Sequence, residues 1–423
     1  MMDEGLNILE FAGLSEDRPW GLNEPQPTDL RAVVATKECL TLEVVGKAIA
    51  SFVGEPIDVE KIDPPENDIP WAMKARIVGL PTDVLLWTEP LNAASSEATD
   101  LKAGWVLAMQ TGLHAGDPLT HFSNLMRLLA GSELHVHSIC DLATGRWFPR
   151  PILESVFLQD ELEAPEEVLW ITRLTESPTD AEPEDRWAWI STHGLARCGR
   201  AEVEMLGVPS SLSTEAICLV DGIAALTLET PLAPAGKIIS LGPSLFVSTM
   251  ECVQAISMLD DIMPGRGDRV APSVAIVSPD SESVCPIDAL NMLRGGDVPI
   301  PKTLRCTARS ATLARNRWDV LLRSASQIGS SEHATCMVQI PWSHTQDEDS
   351  PREYLWFRVI DVQGQSVVGE LAHQPQYATT LEDGHRENVT SEDITDWVLM
   401  TPVGPMGPSD ADAIDDFLDQ FVN

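Results

Sequence analysis

A chain of 423 residues is too long for one comfortable hydrophobic core and calls for two or three domains. Its composition, 43% hydrophobic and 22% charged, excludes a chain that stays disordered. The formal charge of −37 argues against nucleic acid or an anionic membrane as partner, because phosphate binding draws on clustered Lys and Arg; it permits a basic protein partner or simply keeps the chain soluble.

The N-terminal stretch "MMDEGLNILEFAGLSEDRPWG" is acidic and has no basic segment leading into an apolar run, so no signal peptide is expected. "EAICLVDGIAALTLETPLAPAG" is the most membrane-like stretch, and Asp221 and Gly222 interrupt it. The eight cysteines form no close CxxC pair and read as reduced, mostly buried side chains of a cytoplasmic protein.

In chain order, "DLRAVVATK" predicts a strand and "TLEVVGKAIASFVG" an amphipathic helix. "AMKARIVGLPTDVLLWTEPL" predicts two strands around a Gly-Leu-Pro-Thr-Asp turn. "GWVLAMQTGL" opens a second round as a strand. The helix "DPLTHFSNLMRLLAGS" follows, with Asp117 as N-cap and Pro118 at its first position. "ELHVHSICDLATGRWFP" predicts a strand, a turn and a short strand, and "RPILESVFLQD" a short helix. "EEVLWITRLTES" and "RWAWISTHGLARCGRAEVEML" supply further strands. A third round holds "TEAICLVDGIAALTLE" and "ECVQAISMLDDI" as helices, with "KIISLGPSLFVSTM" and "PSVAIVSP" as strands.

The expected class is therefore α+β: β-α-β-β-like rounds building mixed or antiparallel sheets with helices on one face. The expected segments are 1–100, 101–280, a turn-rich linker at 281–302, and a C-terminal module at 303–423. In that module one basic helix, "TARSATLARNRWDVLLRSAS", places Ala311, Ala314, Trp318 and Leu321 on a single apolar stripe. The period then switches to two in "HATCMVQIPW", "EYLWFRVIDVQGQSVVGELAH" and "ITDWVLMTPV", which predicts a small bent antiparallel sheet or partly open barrel. Trp318, Leu321, Val338, Ile340, Trp356, Val359, Val367, Leu371 and Trp397 are its expected core. In the tail, Ile414, Phe417, Leu418 and Phe421 predict one more amphipathic helix.

"EYLWFRVIDVQGQSVVGELAHQP" followed by "VTSEDITDWVLM" resembles a small bacterial module, domain-of-unknown-function family 2314, and "ARNRW" is similar to that family's approach helix. Upstream, "WISTHGLARCGRAEVEML" and "DLATGRWFP" resemble the uncharacterised family 4026, which often carries that module at its C-terminus. The resemblance implies architecture and no catalytic set. Related small modules look like those of bacterial toxin-immunity proteins, which implies an interaction protein by family neighbourhood alone.

Several constellations bear on chemistry. His193 and Cys198 could form a base and a thiol nucleophile, with Arg197 or Arg200 lowering the thiol pKa; the competing reading is a buried structural turn. His135 and His137 have the i, i+2 spacing that points two rings to one face of a strand, half of a metal site, with His121, Glu202 or Glu204 as possible completions. "GRGDR" at 265–269 and "MLRGGDVP" read as turns, and no cofactor motif stands out. Arg305, Arg309, Arg315, Arg317 and Arg323 gather positive charge on the basic helix, either as an ion-paired dock or as an anion site. In the C-terminal module, His373 and Asp396 could line a cleft beside Trp356, Tyr377 and Trp397. The leading expectation is a non-catalytic interaction protein; a thiol- or metal-dependent hydrolase and a small-molecule sensor are the alternatives.

Overall fold

In the computed structural model the described residues are 20–22, 25–66, 69–177, 186–230, 232–242, 244–259, 272–280, 283–296, 300, 302–329, 333–343, 352–375 and 381–422. The 265–269 turn and Tyr377 lie outside them, as does the side chain of Phe421. The fold is α+β, with three sheets, and it divides into two compact units, Met1–Thr303 and Leu304–Asn423.

The first unit opens with β1 (Pro27–Val34), α1 (Leu42–Val53), β2 (Asp58–Ile62), β3 (Ala72–Arg76) and β4 (Val84–Pro90). It continues with α2 (Ala93–Thr99), β5 (Trp105–Gly112), α3 (Pro118–Gly131), β6 (Val136–Asp141), β7 (Arg146–Pro149) and α4 (Arg150–Val156). The seven strands form one sheet in the order β2-β3-β4-β5-β1-β6-β7, every pair antiparallel. The expected break at residue 100 falls between α2 and β5, and the sheet runs across it because β1 pairs with β5 on one side and β6 on the other.

The helix ends follow their sequence signals. Thr41 accepts the amide of Val44 at the start of α1, and Gly54 closes that helix with a φ of 80°. Asp117 accepts the amide of Thr120 in front of Pro118. Gly131 at the end of α3 lets the Phe52 ring of α1 lie against the backbone, where a Cβ would sit 2.4 Å from the ring and push it outward.

The second sheet uses β8 (Ile171–Glu176), β9 (Trp187–His193), β10 (Glu202–Pro209), β11 (Ile238–Ser240), β12 (Phe246–Glu251) and β13 (Ser273–Val277), in the order β11-β12-β13-β10-β9-β8. Only β10 and β13 run parallel among its described pairs, so it is mixed. α5 (Ser213–Glu229) packs on β9 and β10, α6 (Cys252–Ser257) on β12 and β13, and α7 (Ile287–Gly295) on α5. The stretch expected to be a linker thus holds a helix, and Ala289 and Leu290 of α7 are buried in the unit's core.

Residues Ser210–Glu229, which include α5, are apolar and long enough to cross a membrane by composition, yet Ala216, Leu219, Val220, Ile223 and Ala224 are part of that core. The two interruptions in this stretch have structural roles. Asp221 accepts hydrogen bonds from Trp170 and Thr172, and Gly222 admits Ile300, whose Cγ2 would lie 2.3 Å from an added Cβ.

The second unit comprises α8 (Leu304–Asn316), α9 (Trp318–Ile328), β14 (Thr335–Ser343), β15 (Arg352–Gln363), β16 (Ser366–Leu371), β17 (Arg386–Val389), β18 (Asp396–Thr401), β19 (Gly404–Met406) and α10 (Ala411–Val422). Its six strands form an open antiparallel sheet, β17-β16-β15-β14-β18-β19, rather than a barrel. The basic helix expected as one piece is two. Arg317 leaves helical geometry (φ −112°, ψ 20°), and its carbonyl accepts the amide of Val320 to start α9. The apolar stripe survives the break, because Ala311, Ala314, Trp318 and Leu321 are all buried.

α10 packs on α9, with Ile414 and Leu418 buried, Phe417 partly so, and Asp415 paired with Arg323 at 2.6 Å. A helix this short does not persist in water alone, so those contacts hold it. Deleting everything after Pro408 should cost the second unit about 3–5 kcal/mol, the burial of two large aliphatic side chains. Scanning calorimetry of the full chain checks this; an unmoved transition would mean that α10 contributes no packing.

Candidate functional site

The segment His193–Cys198 is built as a knot. β9 ends at His193, and Gly194 turns the chain with a φ of 126°, where a Cβ would meet the Leu169 carbonyl oxygen at 2.3 Å. A 3-10 turn, Leu195–Cys198, follows and closes on Gly199 at φ 73°. The buried carboxylate of Glu202 ties the turn down, accepting from the Thr192 hydroxyl at 2.7 Å and from the amides of Gly194 and Ala196 at 2.9 and 3.0 Å.

Arg197 leaves the same turn and is itself buried. Its guanidinium donates to Asp141 Oδ1 at 2.7 Å and to the Leu169 carbonyl at 2.7 and 3.2 Å, and lies 4.6 Å from the centre of the Phe122 ring. Asp141, at the end of β6 in the first sheet, also accepts the Thr144 hydroxyl at 2.6 Å and the amide of Ala143 at 3.2 Å. The two motifs "DLATGRWFP" and "HGLARCGR" are thereby locked to each other through one internal ion pair.

This arrangement places Cys198 and His193 in separate surroundings. Cys198 is wholly buried, its Sγ 3.9 Å from the Gly194 carbonyl, and burial pushes its thiol up to about 12 against the opposing charge of Arg197. The reading in which Arg197 or Arg200 activates the thiol fails because desolvation outweighs both. His193 shares a hydrogen bond with Ser191 at 3.2 Å, and burial first, then Arg173, holds its pKa below the usual histidine value.

The histidine pair is also separated. His135 precedes β6 with a left-handed φ of 54°, so only His137 lies on the strand, and both are exposed. Among the described residues no three His, Cys, Asp or Glu side chains gather as a metal site would require.

The C-terminal unit presents a different feature. Its sheet has a covered face, where Val338, Trp397, Leu355, Phe357 and Leu399 pack with α9 and α10. On the open face Met337, Trp356 and Val398 are half-buried and Met400 is exposed. With α8 and the turn after β19, these side chains line a groove of about 570 Å³, and Arg309 and Asp396 stand in its lining. Trp356, expected in the core, is a groove residue because its strand partner is Gln339, whereas Trp397 pairs with Val338 on the covered face.

Two of the four side chains expected to meet a ligand or partner are brought together. Arg315 instead donates to the Glu392 carbonyl at 3.3 Å, and His373 is exposed on the segment after β16. The turn before β18 is capped by Asp393, which accepts the amide and the hydroxyl of Thr390 at 2.8 and 2.7 Å, while Asp396 Oδ1 accepts the amide of Trp397 at 2.9 Å. Met337, Val398 and Met400 went unremarked in the sequence. Their signal was alternation, readable only once the register assigned them to the uncovered face.

The molecule is thus a two-unit α+β protein with a structural polar knot in the first unit and an apolar groove in the second. Residues 310–416 match the family model of DUF2314, described as an uncharacterized protein conserved in bacteria. Residues 176–271 match the C-terminal model of DUF4026, described as a protein of unknown function. No curated protein and no solved structure is significantly similar to the chain.

Proposed function

We propose that this is a non-catalytic, immunity-like interaction protein whose C-terminal groove receives an apolar segment of a basic protein partner. The observation that carries the reading is the groove floor. Trp356, Met337, Val398 and Met400 form a contiguous apolar surface on the face that neither α9 nor α10 covers, and surfaces of that kind mark interaction sites. Charge selects the partner: residues 304–423 hold eight arginines and no lysine against nineteen carboxylates, and the whole chain carries −37. A cytoplasmic setting accords with the reading, since all eight cysteines are unpaired. The thiol-hydrolase alternative loses its support at Cys198, because a buried thiol near 12 supplies almost no thiolate at neutral pH.

The test uses immobilised full-length protein and its Trp356→Ala variant. A protein held by the wild type at low salt, released at high salt and not held by the variant supports the reading. Equal capture by both, or capture indifferent to salt, overturns it.

A further inference from the structure

The first unit holds a second concave site, remote in sequence from the knot, at one end of its seven-stranded sheet. The segments after β1 and β4 and the approach to β5 line a shallow, open depression of about 410 Å³, with Thr36, Lys37, Asn92, Ser96, Lys102 and Trp105 among its residues. Loops carried on adjacent strands of a rigid sheet are a common place for binding sites, and this volume is that of a small-metabolite pocket. Gly104 belongs to the same wall. A Cβ there would lie 2.7 Å from the Val34 carbonyl oxygen, so the loop is pressed tightly onto the end of β1.

The charge of this pocket runs against the rest of the chain. The sequence contains 65 Asp and Glu and only seven lysines, yet two of those lysines line the pocket and no carboxylate does. Glu38, Glu97 and Asp100 are close in sequence but stand outside the lining. Lys37 and Lys102 are exposed, and neither makes an ion pair among the described residues.

The hydrogen-bond ledger points the same way. Asn92 spends its acceptor, Oδ1, on the amide of Ser95 at 2.8 Å, which leaves its NH₂ donors. The Thr36 oxygen accepts the amide of Glu38 at 3.2 Å, leaving the hydroxyl hydrogen. Ser96 donates to the Leu101 carbonyl and is satisfied within the loop. What the pocket presents is chiefly positive charge and donors: two ammonium groups and the Asn92 amide, beside the Thr36 hydroxyl, which can donate or accept. Beside them, half-buried Trp105 offers an aromatic surface.

The geometry points to a binding site for a small phosphorylated molecule, its dianionic phosphate between Lys37 and Lys102 and its organic part against Trp105. Two unpaired ammonium groups balance a phosphate monoester, and a lining with two cations and no carboxylate favours an anion over a neutral ligand. The site is independent of the C-terminal groove and stands or falls separately from it.

The probes are inorganic phosphate and adenosine monophosphate, titrated calorimetrically into the full-length protein at low ionic strength. Saturable binding is expected, weakening as salt is added. Lys37→Gln/Lys102→Gln should weaken it by roughly tenfold or more, the loss of charge-assisted hydrogen bonds. Lys47→Gln, a lysine of α1 outside the lining, should leave it unchanged. Tighter binding of the nucleotide than of inorganic phosphate supports the ester and the role of Trp105, and equal binding supports the phosphate subsite alone. No binding of either probe, or binding that survives the double substitution in a folded protein, overturns the proposal.

Discussion

Arg197→Ala is expected to destabilise the first unit by about 3–5 kcal/mol, the range for breaking a buried ion pair from one side. The cause is what the deletion leaves behind. Asp141 has 0% exposure and would be left with the Thr144 hydroxyl, the Ala143 amide and the nearby charge of Arg146, and the Leu169 carbonyl would lose its guanidinium donors. The substitution also opens a cavity against Phe122. Asp141→Asn should cost less, because the guanidinium keeps its bonds to the Leu169 and Val168 carbonyls. Combining Asp141→Asn with Arg197→Met removes both charges and should recover part of the loss, so a double-mutant cycle in urea should show a coupling energy. A loss below about 1 kcal/mol for Arg197→Ala would mean that water reaches the pair and that the two sheets are held by apolar packing alone.

Why this ion pair was not legible in the sequence is instructive. Asp141 and Arg197 are 56 residues apart, one at the end of a first-sheet strand and the other in a turn between two strands of the second. Attention fell instead on His193 and Cys198, which are near in sequence and have the right atoms for chemistry. Nothing local shows that Cys198 will be wholly enclosed. Signals that depend on neighbours along the chain were readable: the Asp117–Pro118 helix start, the closing Gly54, and the stripe through Ala311, Ala314, Trp318 and Leu321. The edge strand β2 was missed because "DVEKI" is mostly charged and only its backbone is recruited, through pairing with β3. Within the C-terminal unit the strands were evident but their faces were not. Trp356 and Trp397 look alike in sequence, and a shift of one residue in register decides that Trp397 is enclosed while Trp356 stays half-buried on the open face.

The second large effect is a loss of stability in mild acid that depends on His121. This side chain, in the first turn of α3, is buried to 2% exposure, and its Nδ1 accepts the amide of His114 at 3.0 Å. The proton of the neutral ring therefore sits on Nε2, which is buried without a protein partner. Protonating Nδ1 would break its one hydrogen bond and place a cation in the core. Burial, followed by the charge of His114 and only partly offset by Asp117, accordingly lowers its pKa to about 4. The sign follows from linkage. The unfolded chain takes up the proton near pH 6.5 and the folded protein only near 4, so the stabilisation is complete above about 6.5 and is lost as pH falls through that window. The full difference amounts to about 3 kcal/mol, of which about 2 kcal/mol should disappear between pH 7 and pH 5. Most carboxylates remain ionised above pH 5, so that interval reports on imidazoles, and His193, whose pKa burial also lowers, adds to the drop in the same direction. Urea unfolding of the wild type at the two pH values should show the drop, and His121→Gln, which keeps an acceptor for the His114 amide but cannot titrate, should remove the His121 share of it and leave the smaller one of His193. The same slope in both proteins would show that His121 can be protonated without unfolding, and that the acid sensitivity of the first unit resides elsewhere.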